Sequence, residues 1–293
     1  LNYFIAGLLA ILSCVSAAIA CDVIDDTGHA LQLKQPAKRI ITLAPDVTEM
    51  VFAIGAGASV VGVASSSDYP PETKKIPVVA SYNHWDSEAL LKLHPDLIIA
   101  EAGLYSKSQF QLLRYFGIPV FLSAPHDLMD IPRTLSKLGC LTGTEHIADR
   151  QAADFSKQVT ALRQRYAHKK TVSVFFEVWS HPLITVNKKS WINQIITDCG
   201  GKNIFADASN IAPEVSLEAV VQANPDVIIT TTNPDKTWYT WSRLAAVANH
   251  HVFFVNPDWV ERAGPRLLEG AKMICQAADE ARNQSDNAQM NQN

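Results

Sequence analysis

Two stretches of this chain repeat one another in register. Asp86, Ser87, Glu88, Ala89 and Leu90 lead through His94, Pro95 and Asp96 into Leu97, Ile98, Ile99 and Ala100. Ser216, Leu217, Glu218, Ala219 and Val220 lead in the same way through Asn224, Pro225 and Asp226 into Val227, Ile228, Ile229 and Thr230. Glu218 follows Glu88 by the interval at which Pro225 follows Pro95, so no gap intervenes. Each copy reads as a short helix with an acidic first turn, a Pro-Asp stop, and a continuously apolar strand of the kind buried on both faces. One such unit is commonplace; two in register predict a chain built from two similar α/β halves.

Between the copies, residues 142–168 read as one long helix. Thr142 and Glu145 stand at capping-box spacing, and Ala148, Ala152, Phe155, Val159, Leu162 and Tyr166 form one apolar stripe at alternating steps of four and three. At about 1.5 Å per residue this helix would be about 37 Å long, enough to strut two lobes. The expected organisation is a signal peptide over 1–20, an N-terminal lobe over 21–141, the strut over 142–168, a C-terminal lobe over 169–282, and a disordered polar tail over 283–293.

The 293 residues are 47% hydrophobic, sufficient for two cores, and the formal charge of −4 with no long Lys/Arg run argues against a nucleic-acid partner. Residues 3–12 are almost wholly apolar and are followed by small residues ending in Ala18, Ile19 and Ala20, the pattern of a secretory signal too short to span a bilayer. Soluble export is the first reading, with lipid attachment at Cys14 or Cys21 the second. Once the leader is removed, Cys21, Cys140, Cys199 and Cys275 remain, and an oxidising compartment allows them three pairings. Cys199 and Cys275 both follow the strut; Cys140, beside Leu138 and Leu141, reads as a buried apolar residue.

Strands are expected at 39–43, 60–64, 97–100 and 120–122 in the first lobe, and at 171–176, 183–186, 227–230 and 252–255 in the second. Helices are expected at 47–54 and 108–116, then at 191–199, 217–223, 243–248 and 265–282. This is a βαβ succession and implies a parallel, Rossmann-like sheet in each lobe. Ligands of such sheets sit beyond the carboxyl ends of the strands. Tyr82, Trp85, Trp179, Trp238, Tyr239, Trp241 and Trp259 all fall in connecting segments, which suggests an interlobe cleft lined for a large, partly flat ligand.

Ile40 to Pro45 with Thr48 and Glu49, Val61 to Ala64, and Ser67-Asp68-Tyr69-Pro70-Pro71 resemble the start of BtuF-type periplasmic cobalamin-binding proteins, the helix-linked (class III) binding components of ABC importers. Cys199-Gly200-Gly201, Asn203-Ile204-Phe205, and Asp258-Trp259 with Glu261, Arg262, Pro265 and Arg266 resemble the same family further on. The resemblance implies a non-enzymatic, monomeric carrier with no resident cofactor that delivers a corrinoid to a permease dimer with its ATPase subunits. It places Asp258, Trp259 and Arg262 on the corrinoid, with Tyr82 where the family has a tryptophan. Glu88 and Glu218, one per lobe, match the glutamates that dock onto permease arginines, and Cys199 and Cys275 match the family's disulfide. Asp68, Tyr69, Trp85, Trp179 and Trp238 complete the expected ligand-binding set.

Ser66, Glu101 and Ala212 stand where the family places further ring-stacking aromatics. A rival reading within the same transporter class is a haem or ferric-chelate binder using Tyr69, Tyr105 or His181. A metal-ion site would need some of His84, Glu101, His126, His181 and Asp258 to converge. A doubly wound enzyme is the last alternative: the sequence has neither a Gly-x-Gly-x-x-Gly turn after a strand nor a Gly-x-Ser-x-Gly elbow.

Overall fold

The computed structural model describes residues 21–232 and 236–290, the side chains of 236 and 284–290 apart. The expected leader therefore lies outside the described residues. The chain opens with an antiparallel hairpin of β1 (Cys21–Ile24) and β2 (Ala30–Leu33). There follow β3 (Ile40–Thr42), α1 (Pro45–Ala53), β4 (Val60–Ala64), β5 (Val78–Ser81), β6 (His84–Trp85), α2 (Ser87–Lys92), β7 (Leu97–Glu101), α3 (Lys107–Tyr115), β8 (Val120–Ser123) and α4 (Asp130–Thr142). Their sheet runs in the order β6-β5-β4-β3-β7-β8, parallel throughout except for the short edge strand β6.

The strut is α5 (Glu145–Tyr166), whose 22 residues span about 33 Å. Thr142 is not its cap. Thr142 ends α4, and its hydroxyl bonds back to the Leu138 carbonyl at 2.8 Å, while Gly143 turns the chain through φ 70°. α4 and α5 approach closely at that corner: a Cβ on Gly139 would lie 2.4 Å from the Ala148 Cβ. The predicted stripe of α5 is buried at Ala148, Ala152, Phe155, Val159 and Tyr166, and the opposite face is exposed.

The second lobe comprises β9 (Val172–Glu177), β10 (Trp179–Ser180), β11 (Leu183–Ile184), α6 (Trp191–Asp198), β12 (Gly201–Asn203), α7 (Leu217–Ala223), β13 (Val227–Thr230), α8 (Lys236–Tyr239), α9 (Ala245–Ala248), β14 (Val252–Phe254) and α10 (Leu267–Met290). Its sheet has the order β12-β9-β13-β14 and is parallel throughout. The strand expected over 183–186 is instead part of the β10–β11 hairpin, and its place in the sheet is taken by β12. Helix α10 continues to Met290, into the stretch expected to be a disordered tail.

The repeat recurs in atomic detail. Asp86 caps α2 by accepting the Ala89 amide at 3.0 Å, and Ser216 caps α7 by accepting the Ala219 amide at 3.2 Å. His94 and Asn224 end the two helices with φ 45° each. The two Pro-Asp carboxylates then clip the first strand of each sheet in place. Asp96 accepts the amides of Lys38 and Arg39 at 2.8 and 2.9 Å, and Asp226 accepts the Ser173 amide at 2.7 Å. Pro-Asp therefore does more than stop a helix: it fixes which strand lies next door.

One apolar cluster runs continuously from Met50, Ile54 and Leu138 of the first lobe through Ala148, Phe155 and Val159 of the strut to Val174, Ile195 and Ile274 of the second. Separate clusters cover the outer faces of the two sheets. Two disulfides tie the chain further, Cys199–Cys275 within the second lobe and Cys21–Cys140 between β1 and α4. Cys140 is thus a bridged residue and not a free buried thiol.

Candidate functional site

The loops at the carboxyl ends of the strands face one another across the lobes. On the N-terminal side a string of buried hydroxyls sets the geometry: Thr48 of α1 bonds to Thr42 of β3 at 2.8 Å and to Ser67 at 2.9 Å, and donates to the Ala44 carbonyl. Ser67 fixes the segment that presents Asp68 and Tyr69, which is followed by a cis Tyr69–Pro70 bond. On the C-terminal side Asn256 caps the turn Pro257–Trp259 by accepting the Asp258 amide at 2.9 Å. The Trp191 indole donates to the Val260 carbonyl at 2.8 Å, and Gly270 of α10 leaves room for the Trp259 carbonyl, which a Cβ would approach to 2.4 Å.

These two supports bring five charged groups together. Glu49 of α1 is buried and receives Arg266 in a fork, Nε at 2.9 Å and Nη2 at 2.6 Å, together with Arg262 Nη1 at 3.1 Å. Arg262 also donates to Asp68 at 2.7 Å and forms an ion pair with Asp258 at 2.8 Å. The Arg266 guanidinium lies 4.1 Å from the centre of the Tyr69 ring, a cation–π contact. Burial works against the charge on Asp68, but the hydrogen bond from Arg262 together with the charges of Arg262 and Arg266 outweighs it and holds the carboxyl below the usual range.

Beside this seam opens a cavity of about 1050 Å³, bounded by Phe52, Tyr69, Pro70, Trp259, Pro265 and Arg266 among others. Its size is at the upper end for small-molecule sites, and its mixture of aromatic walls with a few polar groups is typical of them.

The predicted residues divide into three groups. Asp68, Tyr69, Asp258, Trp259 and Arg262 converge at the seam. Tyr82, on the loop after β5, and Trp179, in the β10–β11 hairpin, are exposed, at 77% and 55%. Trp85 and Trp238 are core residues, contrary to expectation: Trp85 packs on Tyr105 and Phe110, and Trp238 packs on Phe175 with its indole donating to buried Glu177 at 2.6 Å. The Tyr105 hydroxyl is likewise spent on the Leu43 carbonyl, at 3.0 Å. Among the described residues no three His, Cys, Asp or Glu side chains gather to hold a metal ion.

Glu49, Arg266 and Trp191 received no role from the sequence. Glu49 and Arg266 do fall inside the two motifs that carry the resemblance. Their pairing spans 217 residues, which local pattern does not register.

A two-lobed α/β chain with its strand-end loops facing across a helix-braced seam is a periplasmic binding protein, and the profile of that family matches residues 40–259, so this chain belongs to it. Its relatives include the vitamin B12-binding protein of Vibrio parahaemolyticus, 32% identical over 83% of this chain and 90% of that one. That of Pectobacterium atrosepticum is 37% identical over 81% and 87%. Among solved structures it is similar to the periplasmic vitamin B12-binding protein BtuF of Vibrio cholerae, with a TM-score of 0.78 and 33% identity, covering 84% of this chain and 98% of that one. It is also similar to the periplasmic haem-binding protein RhuT of Roseiflexus, with a TM-score of 0.74, 25% identity, and coverage of 84% and 99%.

Proposed function

We propose that this chain is the periplasmic substrate-binding component of an ABC importer that captures cobalamin or a related corrinoid between its lobes and hands it to a permease dimer. The observation that carries the reading is the meeting of Asp68 and Tyr69 with Asp258, Trp259 and Arg262 across the seam. These residues lie in the Ser-Asp-Tyr-Pro-Pro and Asp-Trp-x-Glu-Arg motifs that carry the sequence's resemblance to cobalamin-binding proteins. The part played here is capture without chemistry: aromatic faces supply burial, and Arg262 with Asp258 supplies orientation.

Haem binding is the weaker alternative, because Tyr105 is buried and bonded to the backbone, while Tyr69 lies under Arg266. Titration calorimetry with cyanocobalamin is expected to give a dissociation constant in the micromolar range or tighter, about −8 kcal/mol or stronger. No heat at tens of micromolar, together with a haem Soret band on adding haem, would overturn the assignment.

Glu88 and Glu218 are the groups we assign to permease docking. Each sits in the first turn of its helix, exposed, at the same place in the repeat. Glu88 has only a surface pairing with Lys92, and such pairs contribute little and exchange readily for a partner's arginine. Two carboxylates related by a pseudo-twofold suit a twofold partner. Because α5 is continuous and the seam is charge-paired, ligand binding is expected to change the radius of gyration only slightly in solution scattering.

A further inference from the structure

The five charged groups at the seam are not equivalent. Glu49 has 2% of its side chain exposed, Arg262 14% and Arg266 18%, whereas Asp68 has 55%. Glu49 receives three guanidinium donors in a site closed to water, and breaking a buried ion pair strands a charge. Asp68 makes one bond to Arg262 at 2.7 Å from a position that water already reaches, so its release is cheap. Both carboxylates meet the same Arg262 nitrogen, Nη1.

We propose that Glu49 and Arg266 form a permanent clasp between the lobes that sets the position of Arg262, and that Asp68 is a placeholder whose contact with Arg262 is taken over by an acceptor on the bound molecule. The acceptor class is an amide carbonyl or a phosphate oxygen, the groups a guanidinium recognises. A corrinoid carries both, and to that extent the exchange rests on the reading above. Glu49 is then a positioning residue: its carboxylate is committed to the two guanidinium groups and acts by holding Arg262 from the opposite lobe. The clasp also explains why α1 keeps Glu49 inside: its carboxylate is the N-terminal lobe's half of the joint.

The test has two arms. In the first, stopped-flow absorbance measures association and dissociation of cyanocobalamin for wild type, Asp68→Ala, Glu49→Gln and Arg266→Lys. Asp68→Ala is expected to bind about two- to fivefold tighter, mainly through faster association, the weight of one surface ion pair. Arg266→Lys keeps the charge but loses the fork, and is expected to weaken binding at least severalfold with the fold retained; Glu49→Gln, if it folds, is expected to do the same. Carboxyl-carbon NMR of wild type adds a readout that packing alone would not move: saturating cyanocobalamin is expected to raise the Asp68 titration midpoint. Weaker binding by Asp68→Ala, or an Asp68 midpoint unchanged at saturation, overturns the placeholder.

The second arm uses no ligand. Interlobe distances from paired spin labels are expected to be narrow in wild type and broadened in Arg266→Lys; equal widths overturn the clasp. A wild type that binds no cobalamin overturns the corrinoid reading and the exchange with it, while the distance measurement still decides the clasp.

Discussion

Asp46, the second residue of α1, is buried beside Glu101 at the end of β7, and burial together with the Glu101 charge pushes its carboxyl up to about 7. Its Oδ1 has no hydrogen-bond partner. The backbone places the two acids together because β3 and β7 are neighbours with Thr42 opposite Ile99, so their carboxyl-end loops start side by side.

This pair gives the protein an acid-weighted stability. Between the unfolded value near 3.8 and the folded value near 7, the native chain holds a proton on Asp46 that the unfolded chain has released. Stability from this group is therefore full at low pH and is lost as pH rises through 7, with a span on the order of a few kcal/mol. Asp46→Asn is expected to remove that slope. Urea unfolding of both proteins at pH 5, 6, 7 and 8 checks it; parallel curves would refute the shift.

The aromatic candidates can be separated by experiment. Trp85→Ala, in the core against Tyr105 and Phe110, is expected to cost about 3–5 kcal/mol of stability. Trp179→Ala, at 55% exposure, is expected to change stability by less than about 0.5 kcal/mol. Thermal melts of the two variants distinguish these outcomes.

Removing the Cys21–Cys140 bridge with Cys140→Ala is expected to cost about 2–4 kcal/mol, since the bond closes a span of 119 residues. Intact-mass analysis of the exported protein, with and without reduction, is expected to show two disulfides and no acyl mass on Cys21. An acylated Cys21 would contradict the pairing.

Reversing both Glu88 and Glu218 to Arg is expected to leave the melting temperature and cobalamin affinity unchanged and to abolish stimulation of the transporter's ATPase in reconstituted vesicles. Full stimulation by the double variant would remove both residues from the docking role.

A change at the strut's corner probes packing. Gly139→Val places atoms where Ala148 already sits, and overpacking of this kind is expected to cost about 1–3 kcal/mol, visible as a lowered urea midpoint.

The sequence was most legible where burial is two-sided. Strands 60–64 and 227–230 fall where their apolar runs place them. Helix α4 was not among the expected helices, and it contains both a proline and a glycine. Pro132 lies in the first turn, where it costs no hydrogen bond, and Gly139 serves the crossing with α5. Trp85 and Trp238 misled because a position outside a long periodic element says nothing about which way the ring turns. Glu49 and Arg266 sit inside the motifs that carry the resemblance, but their pairing exists only once the lobes are assembled.

The apolar face of α5 belongs to one interior shared by both halves, so neither half owns a complete inner wall on that side. Expressed alone, each would leave a greasy flank open to its neighbours in solution and clump. Expressed together, they will melt as one body, with a single sigmoid where the duplicated architecture suggests two.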